Sequence, residues 1–208
     1  MNDTTASTLD LRGVTKDKVI RYTLFFIVMG IYTLPFLGVN VPAPAIFTNA
    51  ESGYITLLFI HEFAGFIFFG HTFFSNVWAM RVRMVGDKQT GIMARGMLRI
   101  MALGITGPTS IIVPLAGLML VNSYGSGFLN NPSVIDAYIC FWLMAGLQLV
   151  PDIIRYAVDT HAADPKRDVK SAAIRGIAST FLTVYIIWCM VTKGALISPL
   201  LLPLFSGS

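Results

Sequence analysis

Long apolar runs alternate with short polar segments along this 208-residue chain, and the lengths of the runs set the first expectation. Five of them, at about 19–41, 53–80, 96–122, 134–154 and 172–192, each hold roughly the 20 residues an α-helix needs to cross hydrocarbon. Residues 1–18, rich in Thr, Ser, Asp and Lys, read as a polar tail. The first run exceeds the roughly 7–15 residues of a signal-peptide core, so Ala43, Pro44 and Ala45 are read as loop and the run as a retained helix. Pro108 and Pro114 each remove a backbone donor from the third run, which should kink there, with Thr106, Thr109 and Ser110 at hand for the freed groups. Asn131-Pro132-Ser133 reads as the turn and cap that open the fourth. The final segment, GALISPLLLPLFSGS, is apolar but too short before Pro203 to cross again, so residues 195–208 should lie at the membrane interface. The predicted fold is all-α: one membrane domain, residues 19–194, built as a bundle of five transmembrane helices.

Composition strengthens the membrane reading. The chain is 55% apolar and only 12% charged, with a mean hydropathy of +0.69, beyond what an ordinary soluble domain carries. The basic residues then give an orientation. Arg12, Lys16, Lys18 and Arg21 precede the first run; Arg81, Arg83, Lys88, Arg95 and Arg99 surround the second loop; Arg155, Lys166, Arg167, Lys170 and Arg175 surround the fourth. Of the 15 Lys and Arg residues only Lys193 lies elsewhere. Positive charge gathers on the cytoplasmic side, which predicts a cytoplasmic N-terminus and a periplasmic C-terminus in a cell inner membrane. The pI near 9.2 follows from these anchors and calls for no nucleic-acid partner.

Candidate chemistry concentrates in the second run, GYITLLFIHEFAGFIFFGHTFFSNVWAM. At 100° per residue His61, Ala64, Gly65, Phe68, His71, Thr72, Ser75 and Ala79 share an arc of about 120°. Imidazoles and glycines have no use on a lipid-facing surface, so this stripe should face other helices, a cavity or a cofactor. His61 and His71 stand about 15 Å apart along the axis and cannot share one metal from a straight helix. Neutral imidazole is a haem-iron or metal ligand, and a glycine such as Gly65 lets a helix or a flat macrocycle approach the backbone. The alternative is a pair of histidines hydrogen-bonded to Ser or Thr on neighbouring helices. Bis-histidine ligation of a haem would need a second subunit, because no other histidine falls at membrane depth.

The other groups carry less. Glu62, about 100° from His61, is an intramembrane carboxylate that could pair, bind a cation or pass a proton, or reach up to the interface. Asp136 and Asp152 are expected at the interfaces, the latter at ion-pair spacing from Arg155. Met93, Met97 and Met101 recur every four residues, with Met80 and Met84 before them, a pattern that serves packing, lipid contact or Cu(I). Cys140 and Cys189 read as small packing residues and His161 as a solvated loop histidine. The sequence contains no phosphate-loop, dinucleotide, H-E-x-x-H or nucleophile motif, and soluble-type enzymology is not expected.

The run ARGMLRIMALGITGPTSIIVPLAGLMLV (Ala94 to Val121) resembles the third-helix signature of a family of bacterial integral membrane proteins of unknown function, with an Ala-Arg start, a Thr-x-Pro centre and a Pro-x-x-Gly-x-x-Leu end. FWLMAGLQLVPDIIR (Phe141 to Arg155) and YIIWCMVTKG (Tyr185 to Gly194) resemble its later helices, so the resemblance covers roughly residues 54–194. That family is similar in turn to CopD-like copper-resistance proteins and to HemJ-type protoporphyrinogen oxidases. The resemblance matches His61 and Gly70 to a histidine followed by glycine, Arg99 to an arginine opening the next helix, and Gly117-Leu118 to that helix's end. It implies haem b held through His61; the later-helix lysine that serves the HemJ type has no counterpart in span four, which begins Ser133-Val134-Ile135-Asp136. The expected function is therefore a haem b-binding membrane protein acting in electron transfer, quinone chemistry or haem metabolism, with His61 as leading ligand and His71 second. The alternatives are a cofactor-free accessory or assembly subunit of a membrane complex and, third, a CopD-like copper permease. Partners would be the lipid bilayer, other membrane subunits or a second copy, and quinone.

Overall fold

The computed structural model describes residues 19–20, 22–48, 51–85, 93–94, 97–98, 100–158 and 169–205, and every regular element among them is helical. Helix α1 covers residues 22–33, and a short turn, α2, covers Ala45–Thr48. The long helices are α3 (Glu51–Val85), α4 (Gly107–Ser123), α5 (Pro132–Val158) and α6 (Val169–Thr192), followed by a final α7 (Ser198–Phe205). Three helical stretches among the described residues, Ser52–Val82, Gly104–Ser123 and Ile174–Thr192, are long and apolar enough to cross a membrane.

Local chemistry sets the ends. The first run is helical for less of its length than its hydropathy predicts. Pro35 lacks a donor, the chain tightens into a 3₁₀ turn over Leu34–Leu37, and Gly38 closes it at φ 76° with its N–H on the carbonyls of Leu34 and Pro35. Pro132 opens α5 at a position where its missing N–H costs nothing. The Asn131 side chain does not cap that helix; it donates back into the loop, to Ser126 and Gly127. Between α2 and α3 the chain doubles back so tightly that a β-carbon on Gly53 would fall 1.7 Å from the Phe47 carbonyl oxygen, so only glycine fits.

Helix α3 packs chiefly on α4 and α5 on α6, while α3 also meets α6. One buried cluster draws Val28 and Tyr32 from α1, Ala64 and Phe68 from α3, Val113 from α4, Ala137, Cys140, Phe141 and Met144 from α5, and Ile186 from α6. Five helices therefore share one core. Outward, the surface is apolar: Phe26, Phe66, Phe74, Phe181 and Leu200 are all at least 70% exposed, whereas Asp136, Ser179 and Thr183 are buried. This inside-out polarity suits contact with lipid.

Polar groups inside the bundle gather where α4 loses backbone bonds. A turn of π-helix over Ala102–Thr106 precedes Pro108, and Thr109 and Ser110 donate to the carbonyls of Ile105 and Gly107 within the same helix. Pro114, in mid-helix, cannot donate to the carbonyl of Ser110. That oxygen accepts instead from the Tyr32 hydroxyl of α1, at 2.9 Å. The next carbonyls are used as well: Val113 meets Nδ1 of His61 on α3 at 2.9 Å, and Pro114 accepts from the Tyr138 hydroxyl of α5. Three helices thus donate to three carbonyls of a fourth within little more than one turn. Of the hydroxyls expected to relieve the prolines, Thr109 and Ser110 brace the helix locally and Thr106 turns to His71 of α3, while the relief at Pro114 comes from another helix.

A double substitution tests this arrangement. Tyr32→Phe strands the Ser110 carbonyl and should lower stability in detergent by about 1–3 kcal/mol. Adding Pro114→Ala returns a backbone donor to that oxygen, so the pair should be less destabilised than Tyr32→Phe alone. Equal thermal unfolding of Tyr32→Phe and wild type would remove the bond from the account.

Candidate functional site

The small polar stripe of α3 faces the bundle as its periodicity predicts. Ala64, Gly65 and Phe68 are buried, His61, His71, Thr72, Ser75 and Ala79 are half-buried, and Phe66 on the opposite side is 78% exposed. The two histidines on this stripe are used differently.

His61 is locked into helix packing. Its Nδ1 bonds the Val113 carbonyl, and its ring fills a notch left by Gly117 of α4. A β-carbon at Gly117 would lie 2.9 Å from Cε1 and 3.2 Å from Nδ1 of that ring. Because a carbonyl only accepts, Nδ1 carries the proton and Nε2 keeps the lone pair, the tautomer of an imidazole that can still bind a metal.

Ten residues on, His71 is fixed at one nitrogen and open at the other. Its Nδ1 lies 2.8 Å from Thr106 Oγ1, at the π turn ahead of α4. Its Nε2 is buried with no hydrogen-bond partner among the described residues. A histidine bonded to a threonine of the next helix is one of the arrangements the sequence left open. The orphaned nitrogen is not part of that pattern. Gly70 beside it has open space where a β-carbon would stand.

Gly65 is not where a neighbouring helix makes its close approach. It is buried, yet an added β-carbon would meet only Phe69 Cε2, at 4.0 Å, so no neighbouring backbone closes on it. The close approach of α3 and α4 falls at Gly117. Arg99 and His161 lie outside the described residues. Glu62 is exposed on the outer face of α3, and Met84, Met93 and Met97 are exposed rather than convergent. Among the described residues no three His, Cys, Asp or Glu side chains come together to hold a metal ion.

Three polar groups carry more than the sequence suggested. Asn76, about 60° from His61 on the helix wheel and so at the edge of the stripe, reaches the Gly176 carbonyl of α6 at 3.4 Å. Asp136, expected at an interface, is fully buried. Its carboxylate accepts from the Tyr185 hydroxyl and from the backbone N–H groups of Leu196, Ile197 and Ser198, the last three at 2.6–2.8 Å. It therefore caps α7 from another helix, and the tail is pinned to the bundle. Ser198 adds a bond to the Pro132 carbonyl. An aspartate on the inward face near a helix start was the available signal; its partners lie 49 to 62 residues away and gave none. Cys140 and Cys189 are free and fully buried, as packing residues should be.

Comparison with known proteins finds no family model, curated protein or solved structure that matches.

The notch at Gly117 gives a direct check. Gly117→Ala forces the His61 ring to move and should cost about 1–3 kcal/mol, the usual effect of overpacking. In a His61→Ala background the ring is gone, and the same substitution should cost much less. Additive losses in thermal unfolding of the two single variants and the pair would show that the residues do not touch.

Proposed function

We propose that this chain is an inner-membrane protein of five transmembrane helices that binds haem b beside α3 and serves electron transfer, quinone chemistry or haem metabolism. The observation that carries the reading is the orphaned Nε2 of His71. A buried polar atom without a partner costs about 1–3 kcal/mol, so a partner from beyond the described residues is called for, and a bound cofactor meets that need. Thr106 Oγ1 fixes the ring. When Nδ1–H donates to that oxygen, Nε2 presents a lone pair that would bind iron. Space at Gly70 fits the approach of a flat group. Bound haem would supply one-electron transfer; the chain holds the imidazole through Thr106 and keeps its other nitrogen buried. The opposite tautomer makes Nε2–H a donor, the group that a quinone carbonyl accepts. The family resemblance favours His61, whose Nε2 also keeps its lone pair, so the two histidines compete as ligands and are separable by substitution.

A specific observation favours the second reading, a cofactor-free accessory or assembly subunit. Both rings tie α3 to α4, and the seat of His61 on Gly117 is ordinary close packing. Nothing favours the copper permease. The proposed orientation, N-terminus cytoplasmic and C-terminus periplasmic, rests on the basic clusters, and the shared core of α1, α3, α4, α5 and α6 supports reading all five as spans.

Absorption spectra of the purified protein, oxidised and reduced, test the first reading. The wild type should show a haem b spectrum and His71→Ala should lose it, while His61→Ala should keep haem and lose thermal stability. Loss in His61→Ala with retention in His71→Ala would move the ligand to His61. A wild type without haem would leave the accessory subunit standing.

Impermeant thiol labelling tests the topology. Cysteines placed in the Pro42 to Glu51 loop or at Ser126 should react from the periplasmic side, and cysteines near Lys88 or His161 should not. Labelling near Lys88 from outside would overturn the five-span orientation.

A further inference from the structure

The outward face of α3 carries a second pattern. Ile55, Phe59, Glu62, Phe66, Phe69 and Phe73 follow one another at steps of four, three, four, three and four residues, the seam of a helix that packs along another helix. Phe69 is half-buried and stacks on Phe141 of α5, but Ile55, Phe59, Phe66 and Phe73 are 64%, 64%, 78% and 47% exposed, so the rest of the seam is unused among the described residues. Lipid could cover such phenylalanines, but it does not suit the carboxylate between them. Glu62 lies ten residues past Ser52 in the apolar segment that ends at Val82. Centring that segment on about 30 Å of hydrocarbon puts Glu62 about 7 Å inside the apolar edge. It is exposed, and it makes no hydrogen bond or ion pair among the described residues. A carboxylate at that depth is unfavourable unless a partner meets it.

The chain itself offers the matching charge. Lys193, just past α6 with a left-handed φ of 56°, is exposed and likewise forms no ion pair among the described residues. Helices α3 and α6 run antiparallel, with Asn76 on the Gly176 carbonyl and Ala64 in one core cluster with Ile186, so Glu62 near the start of α3 and Lys193 past the end of α6 stand at the same end of the bundle. Two copies related by a two-fold axis along the membrane normal keep the same orientation and bring equal depths together. In such a pair a residue that meets another across the interface is met in return.

We propose that the outward seam of α3 is the interface with a second copy of this chain, with Glu62 of each copy paired to Lys193 of the other. The interface is independent of the cofactor reading. It keeps the imidazoles inside each bundle and meets the carboxylate at the junction between bundles.

Oxidative cross-linking of the full chain in membranes tests it. Phe66→Cys should give a product of twice the 22.8 kDa chain mass, while wild type, whose cysteines are buried, and Phe26→Cys on α1 should not. In detergent, Glu62→Gln and Lys193→Gln should each raise the dimer dissociation constant about threefold to thirtyfold, and the double variant should be no weaker than either single one. A Phe66→Cys product of any other mass assigns the seam to a different partner and overturns the proposal. So do a monomeric wild type, or a Glu62→Gln variant that dimerises like wild type.

Discussion

A carbonyl oxygen that loses its helical partner inside hydrocarbon has no water to turn to, and Pro114 creates such an oxygen at Ser110 in the middle of α4. Much of the bundle is arranged around the answer. Tyr32 of α1 reaches that oxygen, His61 of α3 takes the carbonyl of Val113, and Tyr138 of α5 takes the carbonyl of Pro114. Each bond fixes how deep its helix sits and which way it is turned against α4. The rings of Tyr32 and Tyr138 also stand edge to face, 6.3 Å apart, and Phe141 packs on Tyr32. Apolar helices in lipid gain little by burying more apolar surface, so directional bonds and close packing carry the specificity.

Asp136 solves the same problem at another site. A buried carboxylate is tolerable only with a full set of donors, and here a tyrosine and three consecutive backbone N–H groups supply them. The arrangement needs α6 to end at Thr192, the chain to reverse through Lys193 and Gly194, and the turn that leads into α7 to present the N–H groups of Leu196, Ile197 and Ser198 to α5. The tail and the Asp136 carboxylate therefore depend on one another. Gln148 on Ser179 and Thr183 on Met144 extend the polar register between α5 and α6.

The two histidines show how a single face can hold different chemistry. Against Gly117, His61 has a carbonyl partner and a close-fitting seat, both of which limit its movement. Beside the π turn, His71 has one nitrogen held and the other unmet. A π turn at this point suits a functional role, because the wider backbone displaces a side chain that a regular helix would keep in step. The order of ligands expected from resemblance, His61 before His71, and the order suggested by unmet hydrogen-bonding capacity are opposite.

The sequence by itself determined the helical class, the apolar surface suited to a membrane, the approximate extent of the long helices α3 to α6 and the inward face of α3, because length, hydropathy and the 3.6-residue period are local properties. It located Pro108 and Pro114 and foresaw that freed groups would need partners. It did not show whose. Tyr32 lies 78 residues from Ser110 and the Asp136 carboxylate about 60 from the N–H groups it binds, so neither pairing leaves a trace in any window of sequence. The same holds for the close approach. Two glycine-bearing helices are evident from sequence, but the crossing falls at Gly117 rather than Gly65, because the ring that needs the space belongs to His61 and its direction is set by the Val113 carbonyl. Periodicity states which side of a helix faces inward. Only the tertiary structure decides which atom on that side meets which, since that depends on the depth and rotation of every helix at once.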